Sequence, residues 1–223
     1  LDLKSDYIIG GYRDHGHALA AGMDPKAVMA ELYGKATGCS KGKGGSMHMA
    51  DTEKNFWGGH AIVGAHIPIA SGLALGDVYQ GNEDAITICM FGDGATNIGF
   101  FHEGLNLSKV WNLPVLWVCE NNQYGMGTSV ERASAVSEIR QKAEGYGMRN
   151  ERIEGMDIME VRKDVTRVME TMRKEGGPYL LEIMTYRYRG HSMSDAKGYR
   201  TKEEEAEWQQ RDPIQIYSRR LIE

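Results

Sequence analysis

Polar residues that could bind a divalent cation follow two apolar segments of the chain. Gly92-Asp93-Gly94 comes directly after the run Ala85–Phe91, and Asn121-Asn122 comes directly after the run Pro114–Glu120. Neither run shows the alternation of apolar and polar residues that is typical of a half-exposed strand, and the stretch between the runs is helix-like. Together these features predict a parallel βαβ unit covered on both faces. Because the carboxyl ends of parallel strands lie at one edge of a sheet, we expect Asp93 and Asn122 to meet there.

The residue types at this edge suit magnesium and phosphate. Magnesium takes oxygen ligands, commonly one or two carboxylates together with phosphate oxygens and water. Asp93 and the side-chain oxygen of Asn122 can supply two ligands, and a backbone carbonyl near Tyr124 can supply a third. A helix predicted to open at Gly94-Ala95 would offer free N–H groups to the same phosphate. A lone Gly-Asp-Gly is common in turns, and the asparagine pair after a second strand makes the pattern more specific.

The two strands belong to a longer alternation of strands and helices. Apolar periodicity predicts helices at 65–79 and 95–110, whereas 38–60 has no period and is predicted to be a long functional loop. This alternation predicts an α/β fold with a doubly wound, mostly parallel sheet and helices on both faces. Further strands are predicted at Tyr7–Ile9 and Tyr179–Tyr188, and further helices at 24–34, 136–146 and 158–174 and from Thr201.

Length and charge narrow the class of protein. A chain of 223 residues can form one large domain with a real core, so residues 1–223 are predicted to be a single domain. The chain begins at Leu1 and ends in helix-like sequence, and we expect it to be an internal piece of a longer protein. The net charge of -5 disfavours nucleic acid or an anionic membrane as the main partner. No apolar run approaches the roughly 18 residues of a membrane-spanning helix.

Three cysteines and a group of histidines could suggest metal binding. Cys39, Cys89 and Cys119 form no C-x-x-C pair, and the latter two lie in apolar runs, so we expect buried free thiols. Among the histidines no pair has helical ligand spacing with a carboxylate partner, so we interpret them as loop or supporting residues rather than a zinc site. These histidines are His15, His17, His48, His60 and His66.

Five motifs occur in order along the chain. They are Tyr12–Gly16 (YRDHG), Gly42–Met49 (GKGGSMHM), Gly58–Ala65 (GGHAIVGA), Gly92–Asn97 (GDGATN) and Tyr186–Asp195 (YRYRGHSMSD). Together they resemble the alpha subunit of the thiamine diphosphate-dependent pyruvate dehydrogenase first component, in the 2-oxo acid dehydrogenase family. The resemblance extends from Tyr12 to about Pro213, nearly the whole chain. It implies the thiamine diphosphate-binding fold and the cofactors thiamine diphosphate and Mg²⁺.

The resemblance also implies roles for individual residues. Asp93, Asn122 and the Tyr124 carbonyl would bind magnesium, and backbone around Ala61 and Val63 would contact the aminopyrimidine. Ala61 stands where relatives often have glycine, which leaves a backbone contact possible. His191 would be both a diphosphate contact and the catalytic residue of this chain. The residues around the diphosphate would be Tyr12, Arg13, Gly94, Ala95 and His191.

The implied reaction is the oxidative decarboxylation of pyruvate with reductive acetylation of a lipoyl group. The glutamate that activates the cofactor is expected on a beta subunit, so this chain would be active only in an assembly, an α2β2 heterotetramer, that serves a lipoyl-bearing acyltransferase. The small-residue helix 65–76 is a candidate partner surface. The compartment would be the cytoplasm in a bacterium, and the mitochondrial matrix or plastid in a eukaryote.

Other functions stay open at this point. Acetoin or branched-chain 2-oxo acids are alternative substrates within the family, although GGSMHM and GHSMSD resemble the pyruvate enzymes more. A nicotinamide-binding domain would need G-x-G-x-x-G after the first strand, and a scaffold without ligand is a third alternative. The segment Arg187–Arg200 contains four potential cations, Arg187, Arg189, His191 and Arg200, so we expect it to be mobile until an anion binds.

Overall fold

A parallel sheet of six strands forms the centre of the molecule. The computed structural model describes residues 5–82 and 84–222. The strands are β1 (Tyr7–Gly11), β2 (Phe56–His60), β3 (Thr87–Gly92), β4 (Val115–Asn121), β5 (Tyr124–Gly125), β6 (Thr128–Ser129), β7 (Arg149–Glu154) and β8 (Tyr179–Met184). The sheet order is β2-β1-β3-β4-β8-β7, with every neighbouring pair parallel, and β5 and β6 form a separate antiparallel pair.

Helices cover both faces of this sheet. They are α1 (His15–Ala20), α2 (Pro25–Leu32), α3 (His66–Gln80), α4 (Gly99–Val110), α5 (Val130–Ala133), α6 (Ile158–Glu175), α7 (Lys202–Gln209) and α8 (Pro213–Ile222). Three 3₁₀ segments are Thr52–Lys54, Asp93–Asn97 and Ile139–Tyr146. Within the described ranges no helix is long and apolar enough to cross a bilayer. The predicted α/β class with a doubly wound parallel sheet is confirmed.

The core has an apolar layer on each face of the sheet. On one face, Cys89 and Trp117 pack with Leu105 of α4. On the other face, Leu116 and Leu181 pack with α6. Strands buried on both faces need apolar residues at successive positions. This explains why apolar and polar residues do not alternate along β3 and β4. Cys89 and Cys119 are buried free thiols, as predicted.

Side-chain caps begin three of the predicted helices. Asp24 accepts a hydrogen bond from the Lys26 N–H at the start of α2, where Pro25 occupies the first turn. Asp157 accepts from the N–H groups of Met159 and Glu160 at the start of α6. Thr201 does the same for α7 by accepting from Glu204. These bonds satisfy N–H groups that have no partner within the helix. The first residue of each helix can therefore be predicted from the few residues around the cap.

Two edge strands contradict the sequence-based prediction. The stretch 38–60 was expected to be loop throughout, but Phe56–His60 forms β2 beside β1, with Gly10 opposite Gly59. Arg149–Glu154 forms β7 at the opposite edge, where no element was predicted. β2 contains two glycines and β7 is largely polar, so neither has a strand-like composition. Pairing with the neighbouring strand stabilises both, which no local pattern reveals.

The helix predicted at 95–110 is interrupted. Asp93–Asn97 is a 3₁₀ segment, Ile98 is extended (φ -95°, ψ 158°), and α4 begins only at Gly99. The helix predicted at 136–146 is instead the 3₁₀ segment Ile139–Tyr146, and the short helix α5 that precedes it was not predicted. The predicted strand Tyr179–Tyr188 ends at Met184, and the short helix α1 was not predicted.

The small residues of α3 serve the chain's own core. Ala70, Ser71 and Ala74 are buried, and the Ser71 hydroxyl lies 3.3 Å from the Gly104 carbonyl on α4. A Cβ on Gly104 would approach Ile67 Cγ2 to 2.6 Å, so the two helices require a glycine here. These three positions are therefore not available as a partner surface, contrary to the expectation for the helix as a whole.

One buried carboxylate organises the glycine-rich stretch after α2. Glu31 is inaccessible to solvent, and its two oxygens accept hydrogen bonds of 2.7–3.0 Å from four backbone N–H groups. Burial raises the pKa of this carboxyl, but the four bonds outweigh burial and hold the pKa below its ordinary value. The ionised form is thus the stabilised one. The donors are Ser40, Gly42, Gly44 and Gly45.

We expect Glu31→Gln to lower the free energy of unfolding by about 2–4 kcal/mol at pH 7, because an amide NH₂ would then face backbone donors. Urea denaturation of both proteins measures this difference. The difference is expected to shrink as the pH falls through the pKa of the folded state, because protonation then removes the same interaction from the wild type. Glu53→Gln, at an exposed glutamate, is the matched control. Equal stability of Glu31→Gln and the wild type at pH 7 would contradict the role of Glu31.

Candidate functional site

A cavity of about 340 Å³ opens at the carboxyl ends of β1, β3 and β4. This is the edge where ligands bind in doubly wound folds. Of the ten predicted site residues, only Ala61 does not line the cavity. The nine that do are Tyr12, Arg13, Val63, Asp93, Gly94, Ala95, Asn122, Tyr124 and His191.

Asp93 and Asn122 are brought together as the strand pattern predicts. Gly92 pairs with Glu120 in the register of β3 and β4, so the two turns begin side by side. Oδ1 of Asp93 and Oδ1 of Asn122 are both buried, and neither has a hydrogen-bond partner in the described part of the chain. Two buried oxygens without donors are a costly arrangement that a hard cation would relieve. The residues present therefore fit a magnesium ion.

The ionisation of Asp93 reflects this environment. Burial raises the pKa of the carboxyl to about 6, against the lowering effect of the backbone N–H groups of Asp93 and Asn122 and of Arg187. Burial disfavours the charged form of a carboxyl, and a nearby divalent cation would reverse the effect.

The third expected ligand, the Tyr124 carbonyl, already has one partner. Arg187 Nη1 donates to this oxygen over 3.0 Å, and a carbonyl has a second lone pair for a cation. Backbone packing brings the carbonyl close to the Asp93 turn, because a Cβ on Gly94 would lie 3.2 Å from Gly125 Cα. A side chain at this contact would require the facing backbone to shift by a few tenths of an ångström.

Three residues converge where a phosphate could bind. The Tyr12 hydroxyl lies 3.4 Å from His191 Nε2, Arg13 Nη2 lies 3.4 Å from His191 Nδ1, and Arg13 also donates to the His191 carbonyl. Burial lowers the pKa of the imidazole, and the cations Arg13 and Arg187 lower it further. A bound anion would offset these cations. The arrangement supplies one permanent cation and two polar rings at the cavity wall.

The segment Arg187–Arg200 has carboxylate partners within it and just after it, which the prediction from its cations left out. Asp195 accepts from the His191 N–H (2.6 Å), the Tyr199 hydroxyl (2.7 Å) and the Lys197 N–H (2.8 Å). These bonds hold the pKa of Asp195 at about 2. Arg200 Nε lies 2.8 Å from the Glu205 carboxylate. These carboxylates offset part of the repulsion among the four potential cations, and mobility of the segment stays a prediction.

Other cavity residues were missed by the sequence analysis. Glu120, the last residue before the asparagine pair, lies 3.7 Å from His17 Nε2. The rule that placed Asn122 at the strand end could have identified Glu120, but His17 depends on the unpredicted helix α1. His66 Nε2 lies 2.9 Å from the Met90 carbonyl, and burial lowers the pKa of His66 to about 4, so this ring is neutral near pH 7.

We expect Asp93→Asn to stabilise the metal-free protein at pH 8. The folded pKa of about 6 lies above the ordinary value of about 3.9 for an aspartate. The unfolded chain therefore loses this proton first, and the carboxyl lowers stability as the pH rises from about 4 to about 6. Two pKa units correspond to about 3 kcal/mol, so the variant gains up to about 3 kcal/mol at pH 8 and nothing at pH 4.

Thermal unfolding in a chelator at both pH values measures this effect. Asp84→Asn, at an exposed aspartate, is the control and is expected to change little. A wild type as stable as Asp93→Asn at pH 8 would show that the carboxylate is not left without compensation in the metal-free fold.

Comparison with known proteins places this geometry in a family. Residues 1–223 match the family described as "Dehydrogenase E1 component". Similar proteins named "Pyruvate dehydrogenase E1 component subunit alpha" include those of Rickettsia felis, with 46% identity over 99% of this chain and 67% of that protein, and Rhizobium meliloti, with 48% identity over 99% and 63%. That of Porphyra purpurea is 43% identical over 100% of this chain and 66% of that protein.

The chain spans about two thirds of the length of these curated relatives. The match includes all five motifs and every residue of the predicted site, since it extends from the first residue to the last. The chain belongs to the dehydrogenase E1 component family.

Proposed function

We propose that this chain is the cofactor-holding part of a pyruvate dehydrogenase alpha subunit, which binds thiamine diphosphate through Mg²⁺. The observation that carries the proposal is the pair of buried oxygens without donors, Asp93 Oδ1 and Asn122 Oδ1, at the ends of β3 and β4. Family membership and relatives named as pyruvate dehydrogenase alpha subunits support the same reaction.

Each side of the cavity has its own task in this proposal. Asp93, Asn122 and the second lone pair of the Tyr124 carbonyl hold the metal. The diphosphate lies against Arg13, Tyr12 and His191, and near the N–H groups of Gly94 and Ala95. The 3₁₀ geometry of Asp93–Asn97 leaves N–H groups at the start of the turn without partners from a preceding helical turn. Backbone around Ala61 and Val63 contacts the aminopyrimidine.

The residues of this chain hold and orient the cofactor. When bound, thiamine diphosphate supplies the electron sink for decarboxylation of the 2-oxo acid. A metal ion held by Asp93 would offset the charge of the diphosphate, and Arg13 would fix its position by hydrogen bonds to charged oxygens. His191, catalytic in this proposal, lies at the cavity wall, where the neutral imidazole can accept a proton and the imidazolium formed can return it. Oriented groups of this kind lower the cost of bringing the reactants together.

The active assembly includes further chains. We assign the activating glutamate to a beta subunit in an α2β2 heterotetramer, and the acetyl acceptor to a lipoyl-bearing acyltransferase. Val63 is 48% exposed and Ile62 72% exposed beside the cavity, which suits a surface that a partner covers. In a bacterial source the assembly would be cytoplasmic.

Acetoin and branched-chain 2-oxo acids are the alternative substrates. The names of the relatives favour pyruvate. The described cavity residues hold the cofactor rather than the acyl side chain, so the proposal of pyruvate depends on those relatives and on the motifs. A nicotinamide cofactor fits less well, because Asp93 would place a carboxylate against its pyrophosphate with no metal between them.

We expect the chain to bind thiamine diphosphate only when Mg²⁺ is present. Asp93→Asn is expected to abolish measurable binding, because Asp93 is the charged member of the three proposed protein ligands of the metal. His191→Ala is expected to weaken binding about 10- to 150-fold, the equivalent of a hydrogen bond to a charged group of roughly 1.5–3 kcal/mol. Isothermal titration calorimetry measures both effects.

The control for these titrations is Glu207→Gln, an exposed carboxylate on α7. The same Asp93→Asn change is expected to stabilise the metal-free fold, so lost binding cannot be attributed to unfolding. Equal affinity of the wild type and Asp93→Asn for the cofactor would refute the metal site.

We also expect the chain alone to turn over neither pyruvate nor an artificial electron acceptor. Addition of the matching beta subunit is expected to restore activity, with kcat/KM for pyruvate above that for acetoin and for branched-chain 2-oxo acids. Steady-state assays on the three substrates measure this order. Robust turnover by a chain that sediments as a monomer would contradict the divided site, and a preference for acetoin would contradict the substrate.

A further inference from the structure

The 3₁₀ segment Ile139–Tyr146 contacts the turn that carries Asp93. Its lysine, Lys142, directs the ammonium group into that turn, with Nζ 3.0 Å from the Thr96 carbonyl, 3.0 Å from Thr96 Oγ1 and 2.6 Å from Asn97 Oδ1. An ammonium has three N–H donors, and three acceptors lie within reach. Burial lowers the pKa of Lys142. Lysine ammonium groups usually extend into solvent, whereas this one contacts the turn.

A second bond extends this contact to Asp93 itself. The Thr96 hydroxyl donates to the Asp93 carbonyl over 2.8 Å while its oxygen accepts from Lys142. Lys142 thus orients the hydroxyl that fastens the backbone of Asp93. A 3₁₀ turn has weaker internal hydrogen bonds than an α-helix and depends more on such external contacts. The conformation of the turn is therefore coupled to the lysine.

The same segment also reaches the turn that carries Asn122. The Arg140 N–H donates to Glu182 Oε2 over 2.9 Å, and Glu182 Oε1 accepts from Asn121 Nδ2 over 2.7 Å. Asn121 Oδ1 in turn accepts from the Gln123 N–H over 3.2 Å. Glu182 is fully buried, so this connection is shielded from water. One short segment thereby holds both ligand-bearing turns.

We propose that Lys142 is a positioning residue that sets the separation of the Asp93 and Asn122 side chains, and that it thereby determines which divalent cation the site prefers. This inference rests on the proposed function, in which these two side chains bind the metal. Lys142 does not line the cavity and acts through Thr96 and Asn97.

Cation size makes the separation of the ligands decisive. Magnesium requires near-ideal octahedral geometry with short bonds of 2.0–2.1 Å, whereas calcium accepts longer bonds and irregular geometry. A turn held by Lys142 suits the smaller ion, and a turn freed from it can widen to suit the larger one. A loss of fold stability alone would weaken binding with both ions equally.

The test is the affinity for thiamine diphosphate supported by Mg²⁺ and by Ca²⁺ in the intact subunit assembled with its beta partner. Lys142→Met keeps the length of the side chain but removes its donors. We expect Mg²⁺-supported affinity to fall at least tenfold and Ca²⁺-supported affinity to fall less, so that the Mg²⁺/Ca²⁺ ratio decreases about threefold or more. Thr96→Val, which removes the hydroxyl between Lys142 and Asp93, is expected to change the ratio in the same direction.

Two controls isolate the positioning role. Lys109→Met removes an exposed lysine at the end of α4, and Val168→Ala lowers stability from the opposite face of the sheet. Both are expected to leave the Mg²⁺/Ca²⁺ ratio unchanged. An unchanged ratio in Lys142→Met and Thr96→Val overturns the inference, with Thr96→Val deciding if Lys142→Met does not fold. A wild type that binds the cofactor with neither ion overturns the proposed function as well.

Discussion

The parallel, in-register pairing of β3 and β4 is the constraint on which the site depends. Gly92 lies opposite Glu120, so the chain leaves both strands at the same height and Asp93 and Asn122 are delivered to one point. A shift of one residue in this register would turn the side chains to opposite faces. The buried apolar layers on both faces of the strands make such a shift costly, because Trp117 and Leu116 must each face their own layer.

This placement leaves an electrostatic conflict in the metal-free molecule. The buried carboxyl of Asp93 has its pKa raised to about 6, and its neighbour Asn122 presents an oxygen without a donor. Two cations lie nearby without contacting the Oδ1 atoms of Asp93 and Asn122. Arg187 donates to the Tyr124 carbonyl, and Lys142 donates to the Thr96 carbonyl in the Asp93 turn. Their arrangement keeps the turn in place while the central position suits an added cation. The same features that destabilise the empty site thus favour a bound metal.

Sequence reasoning found what local rules determine. The apolar runs of β3 and β4, the caps Asp24 and Asp157, and the strand-end residues Asp93 and Asn122 each follow from a pattern within a few residues. The convergence of the two turns also followed, because it needs only the parallel pairing of successive strands.

The remaining features depend on contacts distant in sequence. β2 and β7 exist because a neighbouring strand pairs with them. The helix predicted after Asp93 breaks at Ile98, although the apolar periodicity runs through this position. Arg200 contacts Glu205, and the His191 N–H donates to Asp195. These contacts form in an irregular segment, whose conformation hydrophobic periodicity does not predict. Residues that act through others, Lys142 above all, were invisible to motif analysis because they carry no chemistry of their own.

We propose that Asp93 and Asn122 share one cation. Anomalous diffraction from crystals grown with Mn²⁺ and thiamine diphosphate tests it most directly, because manganese takes the same oxygen ligands as magnesium and scatters anomalously. We expect a single strong peak within bonding distance of an Asp93 carboxylate oxygen and the Asn122 amide oxygen. A peak elsewhere in the cavity, or a bound cofactor without any peak between these two residues, would contradict it.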